Sequence, residues 1–452
     1  MKRLSKLLTG TGQLRIFFFF FEININIAHF VYTYYPDVVG GTEIYVRNLS
    51  KNLQEFGHNV YIFAPETSGS DIREYKYEGL NIVRYSLPAC IKNSDLYDQR
   101  NQELAEKIIP LLIKHNIDTL HFHSATRGQP IDLIGFAKSN GIKVIVTYHT
   151  PTVSCMRGSL MRWGNKVCSG VINRNTCSAC VLQSKGLPKI LALTIGLIPN
   201  KLSRILSNTF PGRLSTVFGM KYYAHLFEKT VQTRMQEANQ IVAVCKWIVK
   251  VLELNKINTD KVIVSRQGVE FKSESKFKSQ NQKYDPTRSR QLVVGYVGRV
   301  DKAKGIDVLI RSFNLIKSHH NLKLCIYGMV QEENKIFFKK LKKMAKSNPN
   351  ISFENSFEPD ALPEVFSQMD VLAVPSQWLE TGPLVVYESF REGVPVLGSD
   401  LGGIAELVED GINGVLVKEY TSPEEWKKNL LFLSRDQNIL KLKNGIKSPR
   451  NI

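Results

Sequence analysis

The segment LVVGYVGRVDKAKGIDVLIRSF, residues 292–313, decides the fold class of this chain. Its continuous apolar start predicts a buried strand, and Ile306, Leu309, Ile310 and Phe313 recur at the spacing of one helix face. The glycines and lysines between the two halves indicate a turn. A buried strand followed at once by a helix is typical of a parallel sheet with helices on both faces.

The same alternation continues on both sides of this segment. The runs that predict further strands are IAHFVYT, NVYIFAP, NIVRYSL, IDTLHFHS, KVIVTYHT, QIVAVC, DKVIVSRQGVE, NLKLCIYG, ISFEN, DVLAVPS, VPVLGSD and GVLV. Helical periodicity lies between them, as where Val46, Leu49, Leu53 and Phe56 share one face and Gly57 ends the helix. The sequence therefore predicts an α/β fold of two doubly wound, Rossmann-like parallel-sheet domains that face each other across a cleft.

Length and composition fit a globular protein of two domains. The chain has 452 residues, of which 43% are hydrophobic and 22% charged, and this length exceeds one ordinary core. Lysine and arginine number 60 against 41 acidic residues, a net charge of +19. Acidic partners are therefore expected, namely phosphates, nucleic acid or an anionic membrane surface. Because no motif groups basic and aromatic residues, nucleic acid is disfavoured.

The predicted boundaries follow changes in composition along the chain. Residues 1–24 form a Phe-rich extension, residues 25–270 an N-terminal domain and residues 291–452 a C-terminal domain, with the polar, basic stretch 271–290 as linker. The rhythm of strands and helices breaks within residues 152–225, which we interpret as a helical insert that carries four cysteines. The apolar run of the extension is shorter than the roughly 20 residues of a membrane span. Seven cysteines without an export signal predict a cytoplasmic protein.

Two basic residues lie in the connection that follows the first strand of the C-terminal domain. Arg299 and Lys304 are placed at the edge where an open parallel sheet binds anions, together with helix N–H groups. Two cations there would neutralise a diphosphate. The alternative is that both are solvated residues of a basic loop, and this segment alone does not separate the two interpretations.

Two carboxylates eight residues apart occur in the stretch WLETGPLVVYES. Glu380 falls in the loop after a strand, whereas Glu388 falls inside the next helix, whose first turn holds Pro383. N–H groups near Gly382 and Leu384 can bind phosphate oxygens, and a carboxylate accepts hydrogen bonds from the neighbouring hydroxyls of a ribose or hexose. The spacing suits a ligand made of sugar, diphosphate and sugar, with two solvated glutamates as the alternative.

Glycines and histidines mark the same edge in the N-terminal domain. Gly40 and Gly41 lie at a strand-to-helix turn, where missing side chains would let a ligand approach backbone N–H groups. A tight turn is the alternative. His121, His123 and His149 end two strands whose carboxyl edge faces the cleft. His149 is therefore a candidate substrate contact, while His121 is equally well explained as a residue that hydrogen-bonds a loop.

Three stretches together resemble the retaining glycosyltransferases of family 4, which have the GT-B fold. They are YPDVVGGTEIYVRNLSKNLQEFGHNVYIFAP, GRVDKAKGIDVLI and WLETGPLVVYESFREGVPVLGSDLGGIAELVEDGINGVLV. The resemblance covers roughly residues 25–430, and its C-terminal part is highly specific.

On the C-terminal side, the resemblance implies how a nucleotide sugar would be held. Arg299 and Lys304, beside Gly298, would bind the diphosphate, and Glu388 would bind the ribose. Glu380 would face the hexose of the donor. Sugar and phosphate would also contact the backbone of Thr381, Gly382, Pro383 and Leu384.

On the N-terminal side, Gly41 would lie by the phosphates and His149 near the reacting sugar. The implied catalytic set is His149, Glu380, Arg299 and Lys304. The implied reaction moves a hexosyl group from a UDP-sugar or GDP-sugar to an acceptor hydroxyl with its anomeric configuration kept, and the main task is to stabilise the departing diphosphate. No Asp-x-Asp occurs in the chain, which fits catalysis without a cofactor.

The resemblance also implies an acceptor, either a glycan or a lipid-linked molecule of polysaccharide, glycolipid or cell-envelope synthesis. Family members usually continue with helices that brace the N-terminal domain, and the early end of this chain predicts a shortened C-terminal domain. Two alternatives stay open. One is an epimerase or phosphorylase on the same fold, and the other is a sugar-nucleotide binder without activity.

The predicted insert carries Cys155, Cys168, Cys177 and Cys180, which end in a Cys-x-x-Cys. Four thiolates suit a structural zinc site in a segment with little core of its own, and free or redox-active thiols are the equal alternative. Residues 186–227 are apolar and basic and contain no acidic residue. They suit an anionic membrane that presents a lipid-linked acceptor, on its inner face, or else a helical subdomain packed on the N-terminal domain.

Overall fold

A computed structural model describes the chain over residues 24–37, 40–66, 72–87, 94–123, 125–126, 128–269, 291–316, 321–355, 357 and 359–450. Residues 1–23 of the predicted extension and the whole predicted linker lie outside these ranges. The described residues form two large, mainly parallel sheets, each flanked by helices, which confirms the predicted fold class.

The described part of the N-terminal half forms ten strands. They are β1 (Asn26–Phe30), β2 (Asn59–Glu66), β3 (Arg73–Tyr77), β4 (Leu80–Ser86), β5 (Thr119–Phe122), β6 (Lys143–Tyr148), β7 (Met161–Arg162), β8 (Lys166–Val167), β9 (Gln240–Ala243) and β10 (Val262–Val264). Eight of them make one sheet in the order β10-β9-β6-β5-β1-β2-β4-β3. Within it β3 pairs antiparallel with β4, and this polar edge strand has no apolar pattern by which the sequence could predict it.

Helices cover this sheet on both faces. They are α1 (Gly41–Glu55), α2 (Asp95–Asp98), α3 (Gln102–Lys114), α4 (Asp132–Ser139), α5 (Arg174–Ser184), α6 (Lys189–Gly196), α7 (Asn200–Thr209), α8 (Gly212–Glu237) and α9 (Lys246–Leu254). The predicted turn before α1 is confirmed, since Gly40 is its N-cap. Phe56 is a correction: its side chain is 70% exposed and not on the buried face, because the helix ends at Glu55 and Phe56 is the C-cap.

The C-terminal half repeats the architecture with an entirely parallel sheet. Its elements are β11 (Leu292–Arg299), α10 (Ile306–Asn314), β12 (Leu322–Met329), α11 (Lys335–Ala345), β13 (Ile351–Phe353), α12 (Leu362–Ser367), β14 (Val371–Val374), α13 (Leu384–Arg391), β15 (Val396–Ser399), α14 (Gly402–Leu407), β16 (Gly414–Val417), α15 (Pro423–Leu433) and α16 (Asp436–Asn444). The sheet order is β13-β12-β11-β14-β15-β16. The segment 292–313 forms β11, a turn and α10, as predicted, and its helix buries Ile306, Leu309, Ile310 and Phe313.

Each sheet has its own apolar core. In the N-terminal domain the rings of Phe30, Phe63 and Phe122, from three adjacent strands, stack at centroid distances of 5.0 Å. In the C-terminal domain Trp426 is fully buried, and its indole N–H donates to the carbonyl of Tyr420 at 2.9 Å. Burying one such side chain contributes about 1.5–3 kcal/mol, so both sheets are held rigidly enough to position the loops at their edges.

The region predicted as an insert, residues 152–225, folds as the β7–β8 hairpin and helices α5 to α8. Helix α8 runs past residue 225 without a break and returns the chain to β9. Within the described ranges, no single helix has both the length and the apolar composition to cross a membrane. The pair α6 and α7 meets that test only when taken together, and the two helices are bent by 109°.

Candidate functional site

Loops from the carboxyl edges of the two sheets meet in the cleft. The hydroxyl of Thr381 donates a hydrogen bond to the carbonyl of His149, which directly follows β6. A Cβ on Gly41 would lie 3.4 Å from Cδ1 of Leu384, the first residue of α13. Predicted site residues of both domains are therefore brought together, as expected for parallel sheets that bind ligands at this edge.

The centre of the C-terminal side is an ion pair. Nζ of Lys304 lies 2.6 Å from Oε1 of Glu380, and the hydroxyl of Ser376 donates to the same oxygen at 2.8 Å. Glu380 is 6% exposed. Burial by itself raises the pKa of this carboxyl, but the charge of Lys304 and the hydrogen bonds outweigh burial, so the pKa lies below its ordinary value. Glu380 is thus held ionised.

A glycine makes this ion pair possible. Gly305 has a φ of 70°, and a Cβ at this position would lie 1.9 Å from the carbonyl oxygen of Pro375. The turn that carries Lys304 can therefore pack against the end of β14 only with glycine here. Asp301 begins the turn, and its side chain accepts from the N–H of Ala303 at 2.7 Å.

Arg299 is the last residue of β11, and its side chain is exposed toward the cleft edge. The preceding Gly298 has a φ of 151°. Across the cleft, a carboxylate oxygen of Glu43 accepts from the N–H of Gly40 at 2.9 Å. Burial raises the pKa of Glu43, and the charge of Arg299 opposes this rise. Glu43 is not among the residues predicted from the sequence, although Gly-x-x-Glu at a helix start is a capping-box pattern that could have indicated it.

Helix α13 supplies a helix N-terminus and a second carboxylate. Pro383 is its N-cap, one position earlier than the predicted first turn, because the helix begins at Leu384. The N–H of Val386 donates to the carbonyl of Pro383 at 3.0 Å, so the N–H groups of Leu384 and Val385 are the ones at this helix start without an intrahelical acceptor. Gly382 precedes them with a φ of 139°. Glu388 is half-buried, and burial raises its pKa to about 7. No other described residue hydrogen-bonds its carboxylate, which leaves that group available to a ligand.

His149 belongs to a row of buried histidines. Its Nε2 lies 3.0 Å from Nδ1 of His123, and the amide nitrogen of Gln267 lies 3.2 Å from its Nδ1. Nε2 of His123 in turn lies 2.9 Å from Nδ1 of His29. Neither His29 nor Gln267 is among the residues predicted from the sequence. His29 falls in a run that predicts a strand, but its pairing with His121 of β5 depends on the order of strands in the sheet, which the sequence does not show.

The four cysteines of the predicted zinc site are free, half-buried thiols. They are gathered in one region, since Cys155, Cys168 and Cys180 act electrostatically on the thiol of Cys177. Among the residues that the structure describes, however, no three of these sulfur atoms lie within 4.8 Å of one another. A tetrahedral zinc site would need the side chains to turn inward, and it stays a prediction.

A cavity of about 450 Å³ lies beside the cleft. It is lined by Val264, Arg266, Gln267, Tyr387, Phe390, Leu407, Asn413, Lys447, Pro449 and Arg450. None of the predicted donor-binding residues lines it.

Comparison with known proteins gives matches to both halves of the chain. The family described as "Glycosyl transferases group 1" matches residues 277–448, and "Glycosyltransferase Family 4" matches residues 39–205. "Spore coat protein SA" of Bacillus subtilis is 27% identical over 143 residues, which cover 30% of this chain and 38% of that protein. "Capsular polysaccharide biosynthesis glycosyltransferase CapM" of Staphylococcus aureus is 30% identical over 219 residues, 46% of this chain and 55% of CapM. The matches span less than two thirds of either relative.

A solved structure agrees over nearly the whole chain. Anabaena HepE in complex with UDP and glucose superimposes with a TM-score of 0.57 at 13% identity, over 94% of each chain. At this identity the likeness establishes the fold alone, two parallel-sheet domains of the GT-B type.

Proposed function

This chain belongs to the family 4 glycosyltransferases, and from this premise we propose that it transfers a hexosyl group from a nucleotide diphosphate sugar to an acceptor hydroxyl. The donor is a UDP-hexose or GDP-hexose, the anomeric configuration is kept, and the acceptor is a glycan or lipid-linked molecule. The observation that carries the proposal is the pair of Lys304 and Glu380 beside the start of α13, opposite the turn at Gly41.

The charges suit the departure of a diphosphate. In the transfer, the bond between the anomeric carbon and the diphosphate oxygen breaks, and the diphosphate leaves with the electron pair. The acceptor oxygen bonds to that carbon, and its proton passes to the departing diphosphate. Lys304, Arg299 and the N-terminus of α13 would oppose the negative charge that develops on the leaving oxygen. The electrostatic stabilisation by such preorganised groups is greatest in a closed site from which water is excluded.

A bound donor would exchange partners within the ion pair. Lys304 is neutralised by Glu380 in this structure, and a diphosphate competes with Glu380 for the ammonium group. The freed carboxylate would then accept hydrogen bonds from hexose hydroxyls. At the other end, the carboxylate of Glu388 would accept hydrogen bonds from the two hydroxyls of a ribose, so we expect the nucleoside to lie along α13.

A donor screen tests the proposal. We expect one UDP-hexose or GDP-hexose to release its nucleoside diphosphate slowly in water and faster with an oligosaccharide or lipid-linked acceptor, with a labelled hexose appearing on the acceptor. Lys304→Ala should weaken donor binding roughly 10- to 100-fold, as loss of a hydrogen bond to a charged group does. Lys302→Ala is the matched control, since Lys302 lies in the same turn but is exposed.

Two results would contradict the proposal. Conversion of the donor sugar to its epimer without any acceptor would indicate an epimerase on the same fold. Tight donor binding without release or transfer, over the whole panel of donors and acceptors, would indicate a binding protein.

We further propose that helices α6 and α7 dock on an anionic membrane surface, where a lipid-linked acceptor is presented. Large apolar side chains of these helices project from the protein, with Ile190 80% and Leu197 66% exposed. The α6–α7 apolar surface consists of Ile190, Leu191, Leu193, Leu197, Leu202 and Ile205. Six exposed large apolar side chains on two consecutive helices exceed the singly scattered apolar residues of an ordinary surface, and such groups mark interaction sites.

The charges around the α6–α7 apolar surface fit anionic lipid. Lys189, Lys201 and Arg204 lie on the same two helices, and residues 186–227 contain no acidic residue. The opposite sides of the helices are packed, since α6 contacts α5 and α7 contacts α8. Helices α6 and α7 thus pack against the protein on one side and present apolar and basic side chains on the other. Interfacial helices bind bilayers with a surface of this kind.

Vesicle flotation tests this docking. We expect the protein to float with vesicles of phosphatidylcholine and phosphatidylglycerol but not with phosphatidylcholine alone, and less so as salt rises. Ile190→Ser combined with Leu197→Ser should abolish flotation. Ile336→Ser is the matched control, because Ile336 is 84% exposed on another basic helix, α11. Equal flotation of the double variant and the control would contradict the docking proposal.

A further inference from the structure

Four histidines lie at the carboxyl edge of the N-terminal sheet. His29 of β1 is in register with His121 of β5; His123 follows two residues later on the same face, and His149 follows β6. Their exposed fractions are 0% for His29, 8% for His121, 0% for His123 and 4% for His149. Buried polar groups of this kind are nearly always hydrogen-bonded, and here three rings are bonded mainly to one another.

The bonded rings form a line that ends in the cleft. It runs from His29 through His123 to His149, with nitrogen-to-nitrogen distances of 2.9 and 3.0 Å. At the His149 end, the amide nitrogen of Gln267 lies 3.2 Å from Nδ1 of His149. Each contact between two ring nitrogens needs one donor and one acceptor, and a neutral imidazole has one of each. The rings cannot therefore choose their tautomers independently.

Gln267 sets the direction of this line. Its amide nitrogen donates to Nδ1 of His149, so His149 carries its proton on Nε2. That N–H donates to Nδ1 of His123, which places the proton of His123 on Nε2 as well, and the same step applies to His29. At the far end, Nε2 of His29 has no hydrogen-bond partner within the described ranges. One orientation of one amide group thus specifies three tautomers.

The rings are also neutral, as the line requires. Burial lowers the pKa of His29 and of His149 to about 3, and it lowers the pKa of His123 well below the ordinary value. An imidazolium ring has two donors and no acceptor, so protonation of any ring would break one of the contacts.

We propose that His29 and His123 are positioning residues that hold His149 in the Nε2–H tautomer, with Nδ1 as a hydrogen-bond acceptor toward the cleft. The inference rests on the proposed function, because the group that would displace Gln267 and donate to Nδ1 is a hydroxyl of the transferred hexose. The carbonyl of His149 is already tied to Thr381, so the ring lies where the two domains close on a donor.

A bound metal ion is the competing interpretation of the same residues. Ligand atoms of His29, His121 and His123 lie within 4.8 Å of one another. The hydrogen-bonded line is favoured, because both nitrogens of His123 already lie within 3.0 Å of another imidazole. A metal would take at least one of them out of its hydrogen bond.

Nuclear magnetic resonance of ¹⁵N-histidine-labelled protein tests the inference without any substrate, since long-range proton–nitrogen correlations distinguish the two tautomers. We expect a pure Nε2–H tautomer at His149. His123→Leu should give mixed tautomers at His149 and about a tenfold lower kcat, the effect of one hydrogen bond, with nucleoside diphosphate affinity unchanged. His123→Gln, which retains a donor and an acceptor, should restore both.

His121→Leu is the matched control. The ring of His121 packs at a centroid distance of 3.9 Å from that of His123. Its Nε2, however, hydrogen-bonds the hydroxyl of Thr147 at 2.7 Å and not one of the three histidines in the line. An unchanged His149 tautomer in His123→Leu, or an equal change in His121→Leu, would overturn the inference. So would a stoichiometric metal in the purified protein that His123→Leu removes. The expected tautomers in a protein without transferase activity would contradict the proposed function alone.

Discussion

Lys304 and Glu380 form a largely buried ion pair that joins the first turn of the C-terminal domain to the loop before α13, with 2.6 Å between Nζ and Oε1. The two side chains are 21% and 8% exposed. A charge in such a place is costly without its partner, so the pair that belongs to the proposed donor site also stabilises the fold.

The first prediction follows from this pair. Lys304→Met should lower the free energy of unfolding by about 3 kcal/mol at pH 7.5, because it leaves a buried carboxylate uncompensated. In the wild type the pKa of Glu380 is lower in the folded protein than in the unfolded chain. Its stabilising contribution is therefore present above the pKa of the unfolded chain and is lost as pH falls through the pKa of the folded protein. In Lys304→Met burial would raise that pKa, so the penalty vanishes on acidification.

Urea denaturation at pH 7.5 and pH 4.5 measures this effect. The two proteins should differ strongly at the higher pH and little at the lower one, and Lys304→Met with Glu380→Gln should recover most of the loss. Lys302→Met serves as control. A difference that does not depend on pH would mean that the lost apolar packing of Lys304, and not its charge, carries the effect.

The second prediction concerns Glu388, whose pKa burial raises to about 7. Only the ionised carboxylate accepts both ribose hydroxyls, so the affinity for a nucleotide sugar should rise about tenfold between pH 6 and pH 8. Titration calorimetry with an intact nucleotide sugar is suitable, because its phosphates do not titrate in this range. Glu388→Gln should flatten the profile, whereas Glu364→Gln, an exposed glutamate of α12, should not.

The same shift has a consequence for stability. A carboxyl with a raised folded pKa binds its proton more tightly in the folded state, so it destabilises the fold as pH rises from the unfolded pKa to about 7. Glu388→Gln should therefore unfold at higher urea concentration than the wild type at pH 8 and at an equal one at pH 4. A variant less stable at both values would contradict this account.

The third prediction concerns a side chain of the C-terminal domain that caps a helix of the N-terminal domain. Glu406 of α14 accepts from the N–H groups of Lys246 and Trp247, both at 2.8 Å, at the start of α9 in the other domain. Glu406→Ala should weaken the interdomain contact by about 1–2 kcal/mol, since a cap and a charge at a helix N-terminus are lost together. We expect a larger radius of gyration by small-angle X-ray scattering. Glu409→Ala, an exposed neighbour, should scatter as the wild type does.

The fourth prediction is the zinc site. The N–H groups of Trp163 and Asn173 lie 3.4 Å from the sulfur atoms of Cys180 and Cys177, and such donors support metal-bound thiolates. We expect about one zinc ion per chain, lost in Cys177→Ser but kept in Cys325→Ser, and cobalt replacement should give a thiolate charge-transfer band. Four freely titrating thiols in the cluster, with no metal, would contradict this prediction.

Local patterns were sufficient for much of the fold. Alternation of buried strands with helical periodicity predicts both parallel sheets, because burial on two faces demands continuous apolar strands. The polar edge strand β3 has no such pattern. Phe56 shows where a local pattern misleads. Helical spacing assigns it to the buried face, but α1 ends before it and its side chain is exposed to solvent.

Local sequence patterns were enough to assign the class of fold and to place Arg299, Lys304, Glu380 and Glu388 at one sheet edge, because the order of strand, turn and helix can be read along the chain. Which partners these residues have depends on the tertiary structure. The ion pair spans 76 positions of the chain, and the bond of His123 to His29 spans 94. Contacts of this range depend on sheet order and register, and no local propensity encodes them.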